Sequence, residues 1–428
     1  MKKLNLKKTL CIAICSVVAT GTLWGCSTDS PLTKKENLLS DYQRSSAIIT
    51  YDFTSAETAQ PENYEEYTTS MTEFSIALLK SSMSPSENTL VAPQCTATTL
   101  SLLLSGASSS TGTEIKNILA STLDMQSINN CNYYLSSRLS AFNSESTGYF
   151  SENSLWFEDK FDVKAAYLQN VANYYSAHIV RTNLTEDGTI DKINAITTDS
   201  TCGAINDIIT DIPEGAAAVS VTAAALADSW ITPYTSDRVK EGTFHGSEKD
   251  STVSFMTSNE RYISESYATG FIKSLKDTPI KFAAIMPSED MSLEEFAETL
   301  TANRLSALLL GGKATNFCTA SIPCFDAEAQ APLDTTLKEM GISKAYNKDD
   351  ANFGGISASS EVYLSSALFA TQVSVSPNGT TKSEAAAPIG AAEFEECDTV
   401  ITLDRPFIYI FFDNESGIPV LMGCVNNL

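Results

Sequence analysis

The chain has 428 residues, of which 43% are hydrophobic, and it carries 52 acidic against 28 basic residues. That length and apolar content are enough for one large core or two smaller ones. The formal net charge of −24 makes the chain a poor partner for nucleic acid or acidic lipid headgroups.

The first 25 residues have the pattern of a secretory signal. "MKKLNLKK" supplies four lysines, "TLCIAICSVVATGTL" is a short apolar run, and "LWGC" closes the segment. A basic start, an apolar stretch and small residues at the exit predict export. Removing the segment would leave 24 basic and 52 acidic residues, a net charge of −28. That charge suits a basic protein partner, or simply a well-solvated surface.

The ending "LWGC" resembles the lipobox of bacterial lipoproteins, in which the cysteine is acylated and becomes the mature N-terminus. Cys26 is the matching residue, while Trp24 departs from the small residue usual at its position. Acyl chains on Cys26 would hold the protein at a membrane without a spanning helix. No later apolar run approaches the roughly 18 residues needed to cross a bilayer. We therefore expect a lipid-anchored protein at the cell surface or outside the cell.

The cysteines outside the leader give neither a disulfide framework nor a zinc site. Seven remain, an odd number without paired spacing, and no C-x-x-C occurs. Most are interpreted as small buried residues. No metal or cofactor is expected.

Residues 26–65 are polar and aperiodic, which predicts a flexible tether ahead of a folded domain at 66–428. Within the domain, "MTEFSIALLKSSM" has helical spacing, and "NTLVAPQCTATTLSLLLSGASSSTGTEIKNILAS" predicts a short strand followed by two helices. "DVKAAYLQNVANYYSAHIV" is a helix running into a strand. "IDKINAITTDSTCGAINDIIT" is interpreted as two helices around a Gly turn.

The second half of the domain mixes strands and helices in the same irregular way. "AVSVTAAALADSW" and "IKFAAIMP" are candidate buried strands. "SLEEFAETLTANRLSALL" predicts two amphipathic helices, and "NFCTASIPCFDAEA" alternates as a strand does. Helices and strands without a regular βαβ repeat predict one large α+β domain.

Six blocks of the sequence resemble serpins and occur in the serpin order, from about Glu65 to Val425. They are "NTLVAPQCTATTLSLLLSGASSSTGTEI", "NSLWFEDKFDVKAAYLQNVANYYSAHI", "DSWITPYTSDRVKEGTFHG", "SIPCFDAEA", "LKEMGISKAYNKDDANFGGIS" and "DRPFIYIFFDNESGIPVLMGCV". The resemblance implies three β-sheets, eight or nine helices and an exposed reactive-centre loop, here about residues 379–403. It also implies suicide inhibition, in which a protease cleaves the loop and the loop then inserts into the large sheet.

The loop sequence can be tested for its ability to insert. From Gly379 to Ala391 the odd-numbered residues are small or apolar, whereas the even-numbered residues include Lys382 and Glu384. An inserted strand buried on one face would therefore place the odd residues inward. A slip by one residue would bury both charges, at a cost of several kcal/mol each. The resemblance implies these hinge residues: Gly379, Thr381, Ser383, Glu384, Ala385, Ala386 and Ala387.

Two features of the loop depart from the family pattern. "GTTKSEAAA" places extra residues after Gly379, so a bulge or displaced start is needed to keep the odd residues inward. Pro388 removes one ladder hydrogen bond from the inserted strand. Slow insertion would turn an inhibitor into a substrate.

Counting by family spacings places the scissile bond in the window "EFEE", at Glu393, Phe394, Glu395 or Glu396. No Lys or Arg occurs between Ser383 and Leu403, which argues against a trypsin-like target because its pocket needs a cation. A Glu-specific protease fits the counted positions. Chymotrypsin- or subtilisin-like cleavage after Phe394 and elastase-like cleavage after Ala392 remain open.

Serpins usually close the opening sheet with a polar cluster of Ser, Ser, Asn and His. The matching positions here are Ala92, Cys95, Thr222 and Phe369. Apolar replacements would seal the strands by packing, provided no buried polar group is left unpaired. Trp230 matches the aromatic residue at the top of the sheet where insertion begins, a role compatible with core packing.

An enzyme is disfavoured by the same sequence. His178 and His245 are the only histidines, and neither accompanies a G-x-S-x-G motif or a phosphate loop. We therefore expect a monomeric inhibitor of extracellular serine proteases. The alternative is a tethered serpin-fold protein that binds or supports without inhibiting.

Overall fold

The computed structural model describes residues 10–19 and 59–428, except 145, 176, 202, 204, 312–315, 359–361 and 381–395. Within these residues the α-helices are α1 (Tyr64–Ser82), α2 (Pro93–Gly106), α3 (Ser109–Ala120), α4 (Met125–Ser140), α5 (Ala165–Tyr175), α6 (Thr189–Ser200), α7 (Leu293–Glu298), α8 (Ala302–Leu310) and α9 (Asp334–Glu339). None of these helices is long and apolar enough to cross a bilayer.

The strands of the described residues follow the irregular order that the sequence predicted. They are β1 (Leu10–Ala19), β2 (Thr89–Val91), β3 (Gly148–Glu158), β4 (His178–Thr182), β5 (Ala216–Ala227), β6 (Val239–His245), β7 (Asp250–Glu265), β8 (Ala268–Ser274), β9 (Ile280–Pro287), β10 (Phe317–Pro323), β11 (Phe325–Pro332), β12 (Val362–Val375), β13 (Val400–Thr402), β14 (Phe407–Asp413) and β15 (Pro419–Val425).

The central helix α2 is buried on every side. Pro93 occupies its first turn, where the missing N–H costs nothing, and Ala107 ends it in an extended conformation. The apolar residues of α2 continue all round the helix, which is the pattern of a helix packed inside a domain. Its N-terminal half lies under the large sheet and so supports the site described below.

The large sheet has the strand order β11-β12-β1-β5-β3-β4. β1 pairs in parallel with both β12 and β5, so these two strands are parallel to each other and one strand position apart. β1 belongs to the segment predicted as a secretory signal. If export removes that segment, the position between β5 and β12 loses this strand.

The long strand β7 joins two further sheets. Its residues 250–256 pair with β6 and its residues 255–261 pair with β10, and β13 adds to β10 as an edge strand. Its second half pairs with β8 and continues through β9, β14, β15 and β2. Three sheets with helices around them confirm the predicted α+β fold and the predicted number of helices.

One predicted helix is absent from the described residues. The segment 205–210 after the Gly turn is not helical, although a second helix was expected there. The side chain of Asn194 on α6 accepts a hydrogen bond from the Ile209 N–H and donates one to the Ile209 carbonyl. These bonds hold an irregular segment whose Ile209 packs with Ile193, Val219 and Trp156 in a small core beneath α6.

Candidate functional site

The chain reverses direction directly after β12, in a turn formed by residues 376–379. The Trp230 N–H donates to the Asn378 carbonyl at 2.8 Å, and the Trp230 indole Nε1 donates to the Ser376 carbonyl at 2.9 Å. The Tyr234 N–H donates to the Pro377 carbonyl at 2.9 Å. Trp230 is 1% exposed. The predicted insertion-point tryptophan therefore holds the exit of β12 and also packs in the core.

After the turn, Gly379 forms an antiparallel bridge with Ser229, just beyond the end of β5. A Cβ atom on Gly379 would lie 2.0 Å from the Asp228 carbonyl oxygen. Only glycine allows so close an approach of the two backbones. The predicted hinge thus begins at Gly379, already paired to the strand beside which the loop would insert.

Thr380 continues this contact and is fully buried. Its N–H donates to the Asp228 carbonyl at 3.0 Å. Its hydroxyl accepts from the Asp228 N–H at 3.0 Å and donates to the Leu226 carbonyl at 3.0 Å. The Thr380 side chain thus forms the hydrogen bonds with the end of β5 that the backbone of a further paired residue would otherwise form.

Asp228 couples this contact to a second turn. Its buried carboxylate accepts hydrogen bonds from the Ser229 N–H, the Thr278 N–H and the Thr278 hydroxyl, at 2.7, 2.8 and 2.7 Å. A buried carboxylate without a cation is retained when several donors satisfy it. The β8–β9 turn is thereby fixed to the end of β5 where the hinge starts.

Beneath Trp230 lies a buried ion pair between Lys273 on β8 and Glu260 on β7. The Lys273 Nζ is 4.4 Å from the ring centre of Tyr234 and 5.6 Å from that of Trp230. Burial lowers the pKa of Lys273, and the Glu260 carboxylate opposes that effect. This arrangement orders the two aromatic residues that hold the turn after β12.

The predicted sheet-opening positions meet where α2 passes under β5. Ala92 and Cys95 are buried, and the Cys95 thiol lies 3.6 Å from the Thr222 carbonyl oxygen. The Thr222 hydroxyl is buried without a hydrogen-bond partner among the described side chains. Phe369 lies on β12, whose backbone is described there although its side chain is not. The role of these positions in sheet opening stays a prediction.

The far end of the loop is tied to the small sheet. The Cys397 N–H donates to the Thr319 hydroxyl at 2.8 Å, and the Thr319 N–H donates to the Thr399 carbonyl at 2.8 Å. Glu396 is exposed. The remaining candidates lie outside the described residues: Cys26, Thr381, Ser383, Glu384, Ala385, Ala386, Ala387, Glu393, Phe394 and Glu395.

Thr380 and Asp228 were not singled out from the sequence. Thr380 is an even-numbered residue of the hinge, and the sequence had predicted that the even-numbered residues face outward. The available signal was the break in the hinge pattern after Gly379, which indicated that the strand start is displaced. The carboxylate of Asp228 could be placed only once the β8–β9 turn was known to approach β5.

The large sheet contains two parallel strands, β5 and β12, that lie one strand position apart. The loop that follows β12 is anchored at both of its ends. These two features define a class of α+β protein with a large sheet and an associated loop. The family model described as Serpin (serine protease inhibitor) matches residues 69–428. The chain belongs to the serpin family, whose members are mostly protease inhibitors.

Relatives and solved structures span nearly the whole domain. An uncharacterised serpin-like protein of Methanosarcina acetivorans is 23% identical, over 86% of this chain and 88% of that protein. Alpha-1-antitrypsin 1-5 of Mus musculus is 23% identical, over 87% of this chain and 91% of that protein. The native structure of Tengpin, a thermophilic serpin, has a TM-score of 0.77 at 30% identity, covering 87% of this chain and 96% of that chain.

Proposed function

We propose that this protein is an exported, membrane-tethered inhibitor of extracellular serine proteases that acts by loop cleavage and insertion. The observation that carries the proposal is the bridge between Gly379 and Ser229. It places the start of the loop at the end of β5, in the antiparallel direction that insertion requires. Cys26 would supply the lipid anchor at the cell surface.

The length of β5 supports the same mechanism. If the pairing of Gly379 with Ser229 were continued, Thr381 would face Ala227, the last residue of β5, and Ala392 would face Ala216, its first residue. The inserted segment would therefore end immediately before Glu393. The scissile window would then stay outside the sheet. The proposed mechanism requires this, because the protease cuts the loop before the loop inserts.

The target protease is proposed from the residues of the window. Glu393, Glu395 and Glu396 suit a Glu-specific protease, and Phe394 suits a chymotrypsin- or subtilisin-like one. Elastase-like cleavage after Ala392 fits equally well. A trypsin-like protease is excluded from the proposal because the window offers no cation to its pocket.

The test is incubation of the purified protein with Glu-specific, elastase-, chymotrypsin- and subtilisin-type proteases, with trypsin as the negative control. Products are separated on denaturing gels and identified by mass spectrometry. We expect a protease–protein complex that survives denaturation, together with a released C-terminal peptide whose first residue locates the cut. Cleavage within residues 388–397 by every protease, without any complex, would reject inhibition.

A second function is favoured by the position of Thr380. Straight continuation from Thr380 would bring Lys382 and Glu384 to the face of β5 that carries Leu226 and Ala224, which pack in the main core. Burying these charges would stall insertion and leave a non-inhibitory, tethered serpin-fold protein. Replacing Lys382 and Glu384 together by Ala, with Ser383→Ala as a control that keeps both charges, tests this alternative. Complex formation in the double variant but not in the control would support it.

A further inference from the structure

Arg261, on β7, has one edge of its guanidinium buried and unused. Its Nε and Nη2 atoms are shielded from solvent and have no hydrogen-bond partner among the residues that the structure describes. These two N–H groups point the same way and form the edge of a guanidinium that binds two oxygens at once. A buried donor without an acceptor costs about 1–3 kcal/mol, and more when it is charged. This edge of the Arg261 guanidinium is therefore a candidate binding site for an anion.

A second arginine shows the same guanidinium edge with both of its N–H groups hydrogen-bonded. On α8, Arg304 uses its Nε and Nη2 atoms to bind both carboxylate oxygens of Glu265, at 2.8 and 2.6 Å. Glu265 follows Arg261 on β7 by four residues, so the two lie on one face of the strand. Because Glu265 is engaged by Arg304, it leaves the edge of Arg261 without a carboxylate.

A second cation stands near Arg261 on the same face. The register pairs Arg261 with Ile272 on β8, Ile272 with Ala283 on β9, and Ser274 with Lys281 on β9. Arg261 and Lys281 are thus separated by one intervening strand and two residues along it, about 12 Å between Cα atoms. Their long side chains can approach within the width of one small anion.

The charges around these two residues support an anion between them. Burial lowers the pKa of the partly buried Lys281, and the positive charge of Arg261 lowers it further. The two described acidic residues of β7 nearest to Arg261 in sequence are already engaged: Glu260 pairs with Lys273 on the opposite face, and Glu265 pairs with Arg304. Two converging cations without an acid would repel each other unless an anion lies between them.

We propose that Arg261 and Lys281 form a binding site for a small oxyanion, either inorganic phosphate or a carboxylate. The Arg261 edge binds two oxygens of the ligand, and Lys281 adds a third contact or balances its charge. Because the Arg261 nitrogens are shielded from solvent, the ligand exchanges slowly. The site lies on β7 and β9, and it does not depend on the inhibitory function.

The first experiment is denaturation of the purified full-length protein and measurement of released phosphate and organic acids. About one equivalent of a single oxyanion is expected from the native protein. The second is a thermal unfolding series in phosphate, acetate or chloride at constant ionic strength. The arm that raises the melting temperature identifies phosphate or carboxylate as the ligand, and chloride measures the effect of salt alone.

The variants separate a site from a general salt effect. Arg261→Gln should abolish both the released oxyanion and the shift in melting temperature. Arg261→Lys keeps the charge without the two-pronged edge and should weaken binding by about 10- to 100-fold. Arg304→Gln, the matched control, should lower the melting temperature yet keep the phosphate- or acetate-dependent shift.

Two results would overturn the proposal. One is the absence of any released oxyanion together with equal melting temperatures in all three salts. The other is a phosphate or acetate shift that persists unchanged in Arg261→Gln. Should that variant fail to fold, native mass spectrometry of the wild-type protein decides, because a specific site holds one oxyanion of defined mass.

Discussion

The N–H of Asp228 donates its hydrogen bond to the hydroxyl of Thr380, at 3.0 Å, and not to a backbone carbonyl of the loop. The ladder along β5 therefore ends in a side chain. For the loop to pair further with β5, this hydroxyl must leave the two backbone groups it satisfies, the Asp228 N–H and the Leu226 carbonyl. If the loop inserts as proposed, Thr380 marks the boundary between the part of the hinge that is already docked and the part that would insert.

Deleting Lys382 should improve inhibition. Thr380 faces the core, and because side chains alternate along a strand, Lys382 would face inward as well. Deleting Lys382 would instead place Ser383, and alternate small residues after it, at the inward positions. We expect fewer inhibitor molecules to be consumed per protease trapped, measured by titrating residual protease activity. Deleting Thr381 and Lys382 together is the control, since it removes the same charge but restores the unfavourable parity. Equal improvement in both deletions would show that charge, not register, limits insertion.

Replacing Thr380 by Val should destabilise the uncleaved protein by about 1–3 kcal/mol, because two buried backbone groups lose their partner. Urea unfolding measured by circular dichroism provides the free energy of unfolding. Thr380→Ser keeps the hydroxyl and should stay within about 1 kcal/mol of the wild type. If Val and Ser variants are equally stable, the hydroxyl contributes nothing and the hinge is held by its backbone alone.

Alkaline pH should unfold the protein through its buried tyrosines. Burial raises the pKa of Tyr67, Tyr149, Tyr234 and Tyr409 well above the ordinary value. Because the unfolded chain releases these protons near pH 10 and the folded one does not, stability is complete below pH 10 and falls above it. Each tyrosine costs about 1.4 kcal/mol per pH unit there.

The measurement is urea unfolding between pH 8 and 11, with absorbance at 295 nm to follow tyrosinate. The absorbance rise and the loss of structure should coincide for these residues. Tyr409→Phe should reduce the slope by the contribution of one residue. Complete ionisation near pH 10 in a protein that keeps its native circular dichroism would contradict the expectation.

Thiol modification should report the burial of the cysteines. Burial raises the pKa of the half-buried Cys324 to about 11 and that of the buried Cys131 to about 12. At pH 8 about one Cys324 thiol in a thousand is ionised, so its reaction with iodoacetamide should speed up about tenfold per pH unit. Peptide mapping by mass spectrometry measures each site, and Cys324→Ser assigns the peptide. A rate at Cys324 that does not change with pH would contradict its burial.

Much of the fold could be predicted because its segments are locally consistent. "AVSVTAAALADSW" forms β5, "IKFAAIMP" forms β9, and α2 ends at Gly106 as expected. The interior of β5 is small and β-branched, and α2 has a proline at its start and a glycine at its end, so propensity and burial agree. The six serpin-like blocks extended this agreement to the whole domain.

What could not be predicted depends on contacts between distant segments. The "INDIIT" segment has helical spacing, yet Asn194 forms hydrogen bonds with both backbone groups of Ile209, and the segment is not helical. The bonds from Asp228 to Thr278 join residues 50 positions apart and have no local signature. Which hinge residues face inward depends on which of them pairs with Ser229. The hinge sequence did not determine this pairing, because it carries extra residues.

The burial of β14 and β15 determines what a cut in the loop would produce. Every residue of both strands is buried, and β14 lies between β9 and β15 in the interior of its sheet. A cut in the window would therefore leave a C-terminal fragment of the chain locked inside the fold by side chains and ladder bonds alone. The cleaved protein would therefore migrate as a single species in any native separation. Its two fragments would separate only in denaturant.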